Sequence, residues 1–556
     1  MKPSLFYELV SFHAGLVAAT NTRRQDNGLS STALFDFETI QLKTSDLAQL
    51  NASMQALFTF GNASSVDASN IASSRSACKV FPGDADWPAD DVWDIFNDLL
   101  GGALIKTAPI ASSCYNDWNY NADKCAFVTD NWSNSTMHEE DPTSMMSPIY
   151  QGLTCMPTTD PTATCTLGAY PAYAVNATNV AQIQLAVNFA RNTGIRFVVK
   201  NTGHGFSGKS GGAGALSVWT HWLQDIRYEG AEFTDASFPY TGPAFTSGSG
   251  VVGADIMKAA SEQGMVVVGG EARDVGVLGG YIQGGGHGPM TSVYGLAADQ
   301  VISARLITAD GRFFTASSTE NTDLFWALRG GGPASWGVTT SLTIKAYPTT
   351  PVTVVTFTFA SGGNVTDDAF WLGVHASFAQ ETVGSDDAIV GSRLFLQEYL
   401  EDEATFNATF DAWSGSSRND ASLLVGFNIN APNVAGVENA VLPAWRKTAL
   451  HTMQGTSWTD PTNFTTMASA RAKLSELQLA WKAVTPGTGA YLGECDIEEV
   501  DWQHNFYGVN YDRLLRIKDA TDPWSLFWTK TGVGSEVASV VSNDVIPDKN
   551  GKLCWN

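Results

Sequence analysis

The chain has 556 residues, 44% of them hydrophobic, and its 32 basic against 56 acidic side chains give a net charge of −24. That length exceeds one ordinary core and implies two or three domains. The acidic balance suits solubility in an acidic extracellular medium. It leaves no basic footprint for nucleic-acid phosphates, and no run of about 18 apolar residues exists to span a membrane.

The amino terminus, MKPSLFYELVSFHAGLVAAT, has a basic start, an apolar middle and small residues near Ala18 and Ala19. Residues 1–20 therefore read as a secretory signal, although Glu8 and His13 interrupt the apolar stretch. Asn-x-Ser/Thr sequons at Asn51, Asn62, Asn131, Asn134, Asn176, Asn364, Asn407 and Asn463 point the same way, to a secreted glycoprotein. The seven cysteines (78, 114, 125, 155, 165, 495 and 554) include no CxxC pair, which argues against zinc and thioredoxin-like chemistry. Disulfides are the simpler account, with Cys114–Cys125 and Cys155–Cys165 as local pairs and one thiol left over.

Residues 21–165 form a Ser-, Asn- and Asp-rich segment with short helical patterns such as VWDIFNDLLGGALI (92–105). From about residue 166 the texture changes. NVAQIQLAVNFARNTG (179–194) has helical periodicity and a Gly stop, and IRFVVK (195–200) follows as a short buried strand. ALSVWT, AFTSGSGVV, MVVVGG, VISARLITADGRFFTAS and GVTTSLTIKAYP read as further strands, ending near Tyr347. Residues 349–495 form a second α/β unit. VTVVTFTFA (352–360) starts it as a strand, and DDAFWLGVHASFAQE, TFNATFDAWSG and TTMASARAKLSELQLAWKAV read as amphipathic helices. Residues 496–556 make a short last segment that returns to the first unit.

Three glycine-rich stretches carry the chemistry. Gly248-Ser-Gly250-Val-Val-Gly253 fits the GxGxxG dinucleotide pattern, but it lacks a run of alternating strands and helices. A tight strand-to-helix turn is the better reading. VVKNTGHGFSGKSGG (198–212) sets His204 in a loop of bare backbone amides, and GVLGGYIQGGGHGPMTSVYGLAADQV (276–301) is a second such loop. Together they suit a long ligand bearing a diphosphate and an extended ring, since glycine permits close backbone approach. DLFWALRGGGPASWGVTT (323–340) adds a third glycine turn.

With NFYGVNYDRLLRIKDATDPWSLFW and GVGSEV near the carboxy terminus, these motifs stand in the order found in the berberine-bridge-enzyme-like FAD-linked oxidoreductases. The chain resembles that family, part of the vanillyl-alcohol-oxidase superfamily, over about residues 75–556. It is most similar to the secreted fungal branch that includes isoamyl alcohol oxidases. The resemblance implies an α+β fold with a bipartite PCMH-type FAD-binding domain (166–348, completed by 496–556). A separate α/β substrate domain (349–495) would cover the flavin ring. It implies FAD as cofactor and dioxygen and a small molecule as reactants, with no metal. A monomer is expected.

Carried over residue by residue, the resemblance makes His204 the tether to the 8α-methyl of the flavin. Asn201, Thr202, Gly203, Gly205 and Ser210 of the first loop would cradle the cofactor, with Gly276, Gly279, Gly280, Gly286 and Leu296 of the second. Metal binding by His204 is disfavoured, because no carboxylate or second histidine sits at ligand spacing in the sequence. Many relatives carry a second tether, a cysteine eight residues before the second loop's histidine. Gly279 occupies that position here, so one tether and a more open active site are expected. Asp86 stands where relatives often have cysteine, which leaves Cys78 either unpaired or with another partner.

His287 matches a position beside the flavin pyrimidine, where a positive or donating group stabilises the anion of the reduced ring. Its plainer reading is a histidine that caps loop amides. Asn510 and Tyr511 match positions along the isoalloxazine, with Tyr511 alternatively a core aromatic. GAYLGECDIEEVDW (489–502) matches a strand that supplies active-site tyrosine. There Tyr491 or a desolvated Glu494 with a raised pKa would take the substrate's hydroxyl proton. A solvated acidic strand edge is the alternative for Glu494.

The resulting expectation is oxidation of an alcohol or hydroxylated natural product, with hydrogen peroxide as the second product. Oxidative cyclisation or desaturation in secondary metabolism, carbohydrate oxidation, and a catalytically vestigial secreted flavin-binding glycoprotein are the alternatives.

Overall fold

Local sequence sets the first element of the flavin region. The Asn179 side chain accepts the Gln182 N–H to start helix Val180–Thr193, and Gly194 ends it with a φ of 74° that favours glycine. The computed structural model describes residues 32–66, 77–235, 238–352, 388–418, 423–434, 436–458, 464–542 and 550–556. The proposed signal segment and the runs at 352–360 and 367–381 lie wholly or almost wholly outside them.

A first sheet contains β1 (Leu104–Lys106), β2 (Tyr173–Asn176), β3 (Phe197–Lys200) and β4 (Leu216–Trp219), in the order β1-β2-β4-β3. β4 runs parallel to both β2 and β3, and helix Val180–Thr193 is the crossover between those two. β1 comes from the segment before residue 166. That segment also buries Phe35, Phe58, Trp93 and Phe96 in one core with Phe189, Phe197, Leu216 and the late Phe527.

The second sheet is antiparallel and larger. Its strands are β5 (Ile226–Asp235), β6 (Tyr240–Gly248), β8 (Val301–Ile307), β9 (Phe313–Ser317) and β10 (Val338–Lys345), in the order β5-β6-β10-β8-β9. Between β6 and β8 lies β7 (Met265–Val266), which pairs with β11 (Tyr347–Pro348). Every residue of β8 and β10 is buried, as expected of central strands covered on both faces. Residues 248–253 form the expected turn between β6 and helix Gly253–Glu262. A Cβ at Gly248 would lie 2.1 Å from the Leu223 carbonyl oxygen, and one at Gly250 2.2 Å from that of His221. These glycines therefore serve backbone contact.

The third sheet belongs to the second unit. It joins β12 (Ala388–Leu396), β13 (Leu423–Asn428) and β14 (Thr448–Ser457), with β14 central and both pairings antiparallel. Helices Glu403–Arg418 and Phe464–Val484 cover one face, where Phe395, Phe410, Trp413 and Trp481 form a core. Strand alternation sends Leu394 and His451 to the other face, which meets the flavin region. There Val390, Val425 and Met453 pack against Phe206 of the first glycine loop.

Three disulfides are present, with both local pairs as expected. Cys78 is bonded to Cys554, so it has another partner, and the unpaired thiol is the buried Cys495. Beside that bond, β15 (Ala538–Val541) pairs with β16 (Lys552–Trp555). No described helix is long and apolar enough to cross a membrane.

Candidate active site

The first loop leaves β3 over a buried lysine. Lys200 donates to the carbonyls of His138 (3.1 Å), Glu139 (3.1 Å) and Asp141 (2.6 Å), pinning that turn beneath the loop. Gly203 has a φ of +95°, and a Cβ there would be 3.1 Å from the Ser144 carbonyl oxygen. Asn201 donates to Thr220 (3.1 Å) and to the Ser249 carbonyl (2.5 Å).

The second loop docks directly on the first. The Gly276 N–H donates to the Thr202 hydroxyl at 3.4 Å, and a Cβ at Gly276 would fall 1.8 Å from Asn201 Oδ1. At Gly279 the nearest such contact is again Asn201, at 3.2 Å. Gly205 and Gly280 differ, with nearest atoms 3.9 and 3.8 Å from a Cβ. Neighbouring protein does not require glycine there.

Buried polar atoms collect along these loops without a protein hydrogen-bond partner: Asn201 Oδ1, Ser210 Oγ, Ser249 Oγ and Gln283 Oε1. Buried polar groups ordinarily find partners. This set fits the polar edge of a flavin and its diphosphate, so the residues present suit FAD.

The fold places a carboxylate beside His204 where sequence spacing showed none. Asp274 Oδ1 is 3.3 Å from His204 Nε2, and the Ser135 hydroxyl donates to the other carboxylate oxygen. The His204 bond, against some desolvation and with help from Ser135, holds the Asp274 carboxyl well below the usual range. Glu139 lies close by, its pKa raised by burial and by the Asp274 charge.

The second loop ends at His287 after two glycines in the left-handed half of the map, Gly285 (φ +120°) and Gly286 (φ +75°). His287 Nε2 is 3.0 and 3.2 Å from the two Glu494 oxygens, and His451 Nε2 is 2.7 Å from Glu494 Oε2. Tyr491, Trp445 and Phe427 wall the pair of imidazoles, with ring centroids 5.3, 5.9 and 5.2 Å from His287. The Tyr281 hydroxyl donates to the His287 carbonyl at 2.5 Å. His287, Tyr491 and Glu494 are thus brought together as expected.

The electrostatics of Glu494 are the reverse of the expectation. Burial works to raise its pKa, but the His287 charge and hydrogen bond, with the hydrogen bond from His451, pull it well below the ordinary value. It is neither a raised-pKa base nor a solvated strand edge: its side chain is 19% exposed and residues 491–498 form turns. Burial lowers the His287 pKa, and Glu494 more than reverses this, leaving it above the usual 6.5. His451 ends below that value, because its burial outweighs the same carboxylate. Burial and the Glu494 charge drive the Tyr491 phenol far upward, so it stays neutral.

Leu296 is buried against Tyr491 and Trp445, and its N–H donates to Asp299 at 2.9 Å. Asn510 donates to the Ala440 and Val441 carbonyls. Tyr511 bonds Glu536 through its hydroxyl and packs on Trp502 and Tyr507, which matches its core-aromatic alternative. The residues that sequence reasoning missed are Asp274, Tyr281, Phe427, Trp445 and His451. Period-2 reading of TALHTMQG was the available signal, because it sets His451 on one face with Ala449 and Met453.

A two-loop cofactor cradle, closed by the third sheet and joined by His287 of the second loop, His451 of β14 and Glu494 of the 491–494 turn, defines a flavin-dependent oxidoreductase. The chain belongs to the berberine-bridge-enzyme-like FAD-linked oxidoreductases of the vanillyl-alcohol-oxidase superfamily. Residues 171–317 match the family described as FAD binding domain, and residues 490–534 the family described as berberine and berberine like. The FAD-linked oxidoreductase patO of Aspergillus clavatus is 34% identical, over 86% of this chain and 94% of that protein. The bifunctional decalin synthase calF of Penicillium decumbens is 32% identical, over 86% of this chain and 96% of its own length. The VAO-type flavoprotein MtVAO615 of Myceliophthora thermophila superposes with a TM-score of 0.75 at 32% identity, covering 86% of this chain and all of that one.

Proposed function

We propose that this protein is a secreted FAD-dependent oxidase of alcohols or hydroxylated natural products, with dioxygen as electron acceptor. In this reading residues 166–348 and 496–556 hold the cofactor, and residues 349–495 cover the substrate. The observation that carries the proposal is the Glu494 carboxylate shared by His287 and His451, inside an aromatic wall facing the glycine loops. An intact cluster of this kind argues against a vestigial protein.

When bound, FAD would take the hydride from the carbinol carbon and return two electrons to dioxygen. Glu494, the exposed member of the cluster at 19%, would take the hydroxyl proton and share it with the imidazoles of His287 and His451 on either side. Glu494 favours the protonated form of His287, and neutral Tyr491 would orient the substrate oxygen. His204 would tether the cofactor; Asp274 at its Nε2 leaves Nδ1 to carry the bond.

The Tyr491, Trp445 and Phe427 wall also favours a bulky apolar skeleton, which supports oxidative cyclisation as a second reading. One relative is itself named a decalin synthase. Anaerobic flavin bleaching by candidate substrates, followed by dioxygen uptake and product mass, tests both. Loss of two hydrogens with a new carbonyl supports alcohol oxidation, and a ring closure supports the second reading. A purified chain that holds no flavin after supply of FAD would sink the proposal.

A further inference from the structure

Three potential ligand atoms converge in the active site from three separate parts of the fold: His287 Nε2 from the second glycine loop, His451 Nε2 from β14 and a Glu494 oxygen. All lie within 4.8 Å of one another. Both imidazoles present the same nitrogen to the carboxylate, at 3.0 and 2.7 Å.

Bonds of roughly 2.0–2.2 Å at tetrahedral angles would set such ligand atoms about 3.3–3.5 Å apart. The cluster therefore needs to shift by less than about 1 Å at its 2.7 and 3.0 Å contacts to reach those separations. Two imidazoles and one carboxylate, with further positions open, is the ligand count of zinc sites that keep an exchangeable position. Hard cations such as calcium would prefer an all-oxygen set.

Phe427, Trp445 and Tyr491 pack around the imidazoles, and Glu494 stays 19% exposed. Arg393, a strand neighbour of His451, points its guanidinium at Thr485 and Asn505 and does not occupy the site.

We propose that His287, His451 and Glu494 form a site for one divalent transition-metal ion such as zinc, and that its occupation silences the enzyme. An ion on Glu494, with His287 and His451 as co-ligands, occupies the carboxylate that would otherwise take the substrate proton. The binding half stands on the three ligand atoms alone; the inhibitory half rests on the alcohol-oxidase reading.

The test uses the chelator-treated holoprotein and zinc chloride alone, with bound metal counted by equilibrium dialysis and elemental analysis. One ion per chain is expected for wild type, and less than a tenth of that for Glu494→Gln and His451→Gln. Flavin absorbance and melting temperature verify that each variant is folded, and His204→Ala should keep the ion. Absent or non-saturating binding by folded wild type overturns the proposal, as does retention by both cluster variants.

A separate assay follows flavin bleaching by an oxidisable alcohol with and without zinc. A loss of tenfold or more, reversed by chelator, is expected. Full activity with the ion bound would overturn the inhibitory half. If no alcohol bleaches the flavin, the oxidase reading fails while the dialysis result stands.

Discussion

Asp274 reaches His204 across 70 positions of sequence, its Oδ1 3.3 Å from the imidazole Nε2. The two residues flank the meeting of the glycine loops, and the Ser135 hydroxyl fixes the carboxylate from behind. A carboxylate held ionised in that place keeps the imidazole directed and electron-rich. Asp274→Asn should slow attachment of the flavin about tenfold to a hundredfold, the worth of one close, partly screened charge contact. Acid precipitation checks this: yellow should move from pellet to supernatant while native protein keeps its FAD. A variant that stays fully yellow in the pellet would remove Asp274 from the attachment step.

Glu494→Gln should cut the rate of flavin reduction by about 10² to 10⁴, the usual contribution of a general base. Tyr491→Phe keeps the ring wall and loses only the hydroxyl, so a smaller loss of about tenfold is expected. Rapid-mixing reduction without dioxygen separates the two. Equal effects would argue against Glu494 as the proton acceptor.

Acid and base should each weaken the active-site ion pair in metal-free protein. The Glu494 pKa is lowered on folding, so its contribution is present above its unfolded value of about 4.3 and fades as pH falls below it. The His287 pKa is raised, so its contribution is full below about 6.5 and is lost as pH rises through the folded value. Glu494→Gln should thus cost most between about pH 4.5 and 6.5, at roughly 3 kcal/mol for breaking a buried pair. Melting temperatures across pH 3–9 check this, and a difference independent of pH would refute the pairing.

Gly276→Ala should fold less well and bind less flavin, because its methyl would lie 1.8 Å from Asn201 Oδ1 and force the loops apart. A cost of about 1–3 kcal/mol is expected for that overlap. Gly280→Ala, with 3.8 Å of clearance, should melt near the wild type. Flavin content per chain and thermal unfolding together read both changes.

Local signals carried much of the fold. The cap and Gly stop of helix Val180–Thr193, the strands of the second sheet other than its edge strand β5, and the two local disulfides were legible, because each depends on neighbours in sequence. The cluster of His287, Tyr491 and Glu494 was legible through family motifs. Its electrostatics were not, since the Glu494 pKa depends on contacts with His287, 207 positions earlier, and with His451, 43 positions earlier on β14. Asp274 escaped for the same reason. The run at 489–502 read as a strand, yet turns at Tyr491–Glu494 and Asp496–Glu499 bend it, and those turns aim Glu494 at the imidazoles.

The Cys78–Cys554 bond spans 476 positions and encloses all three sheets. In covalent terms residues 78–554 are a ring, which cannot close until Cys554 has been made. A single cut inside the ring leaves one covalent molecule, whose fragments part only when a reductant opens the bond.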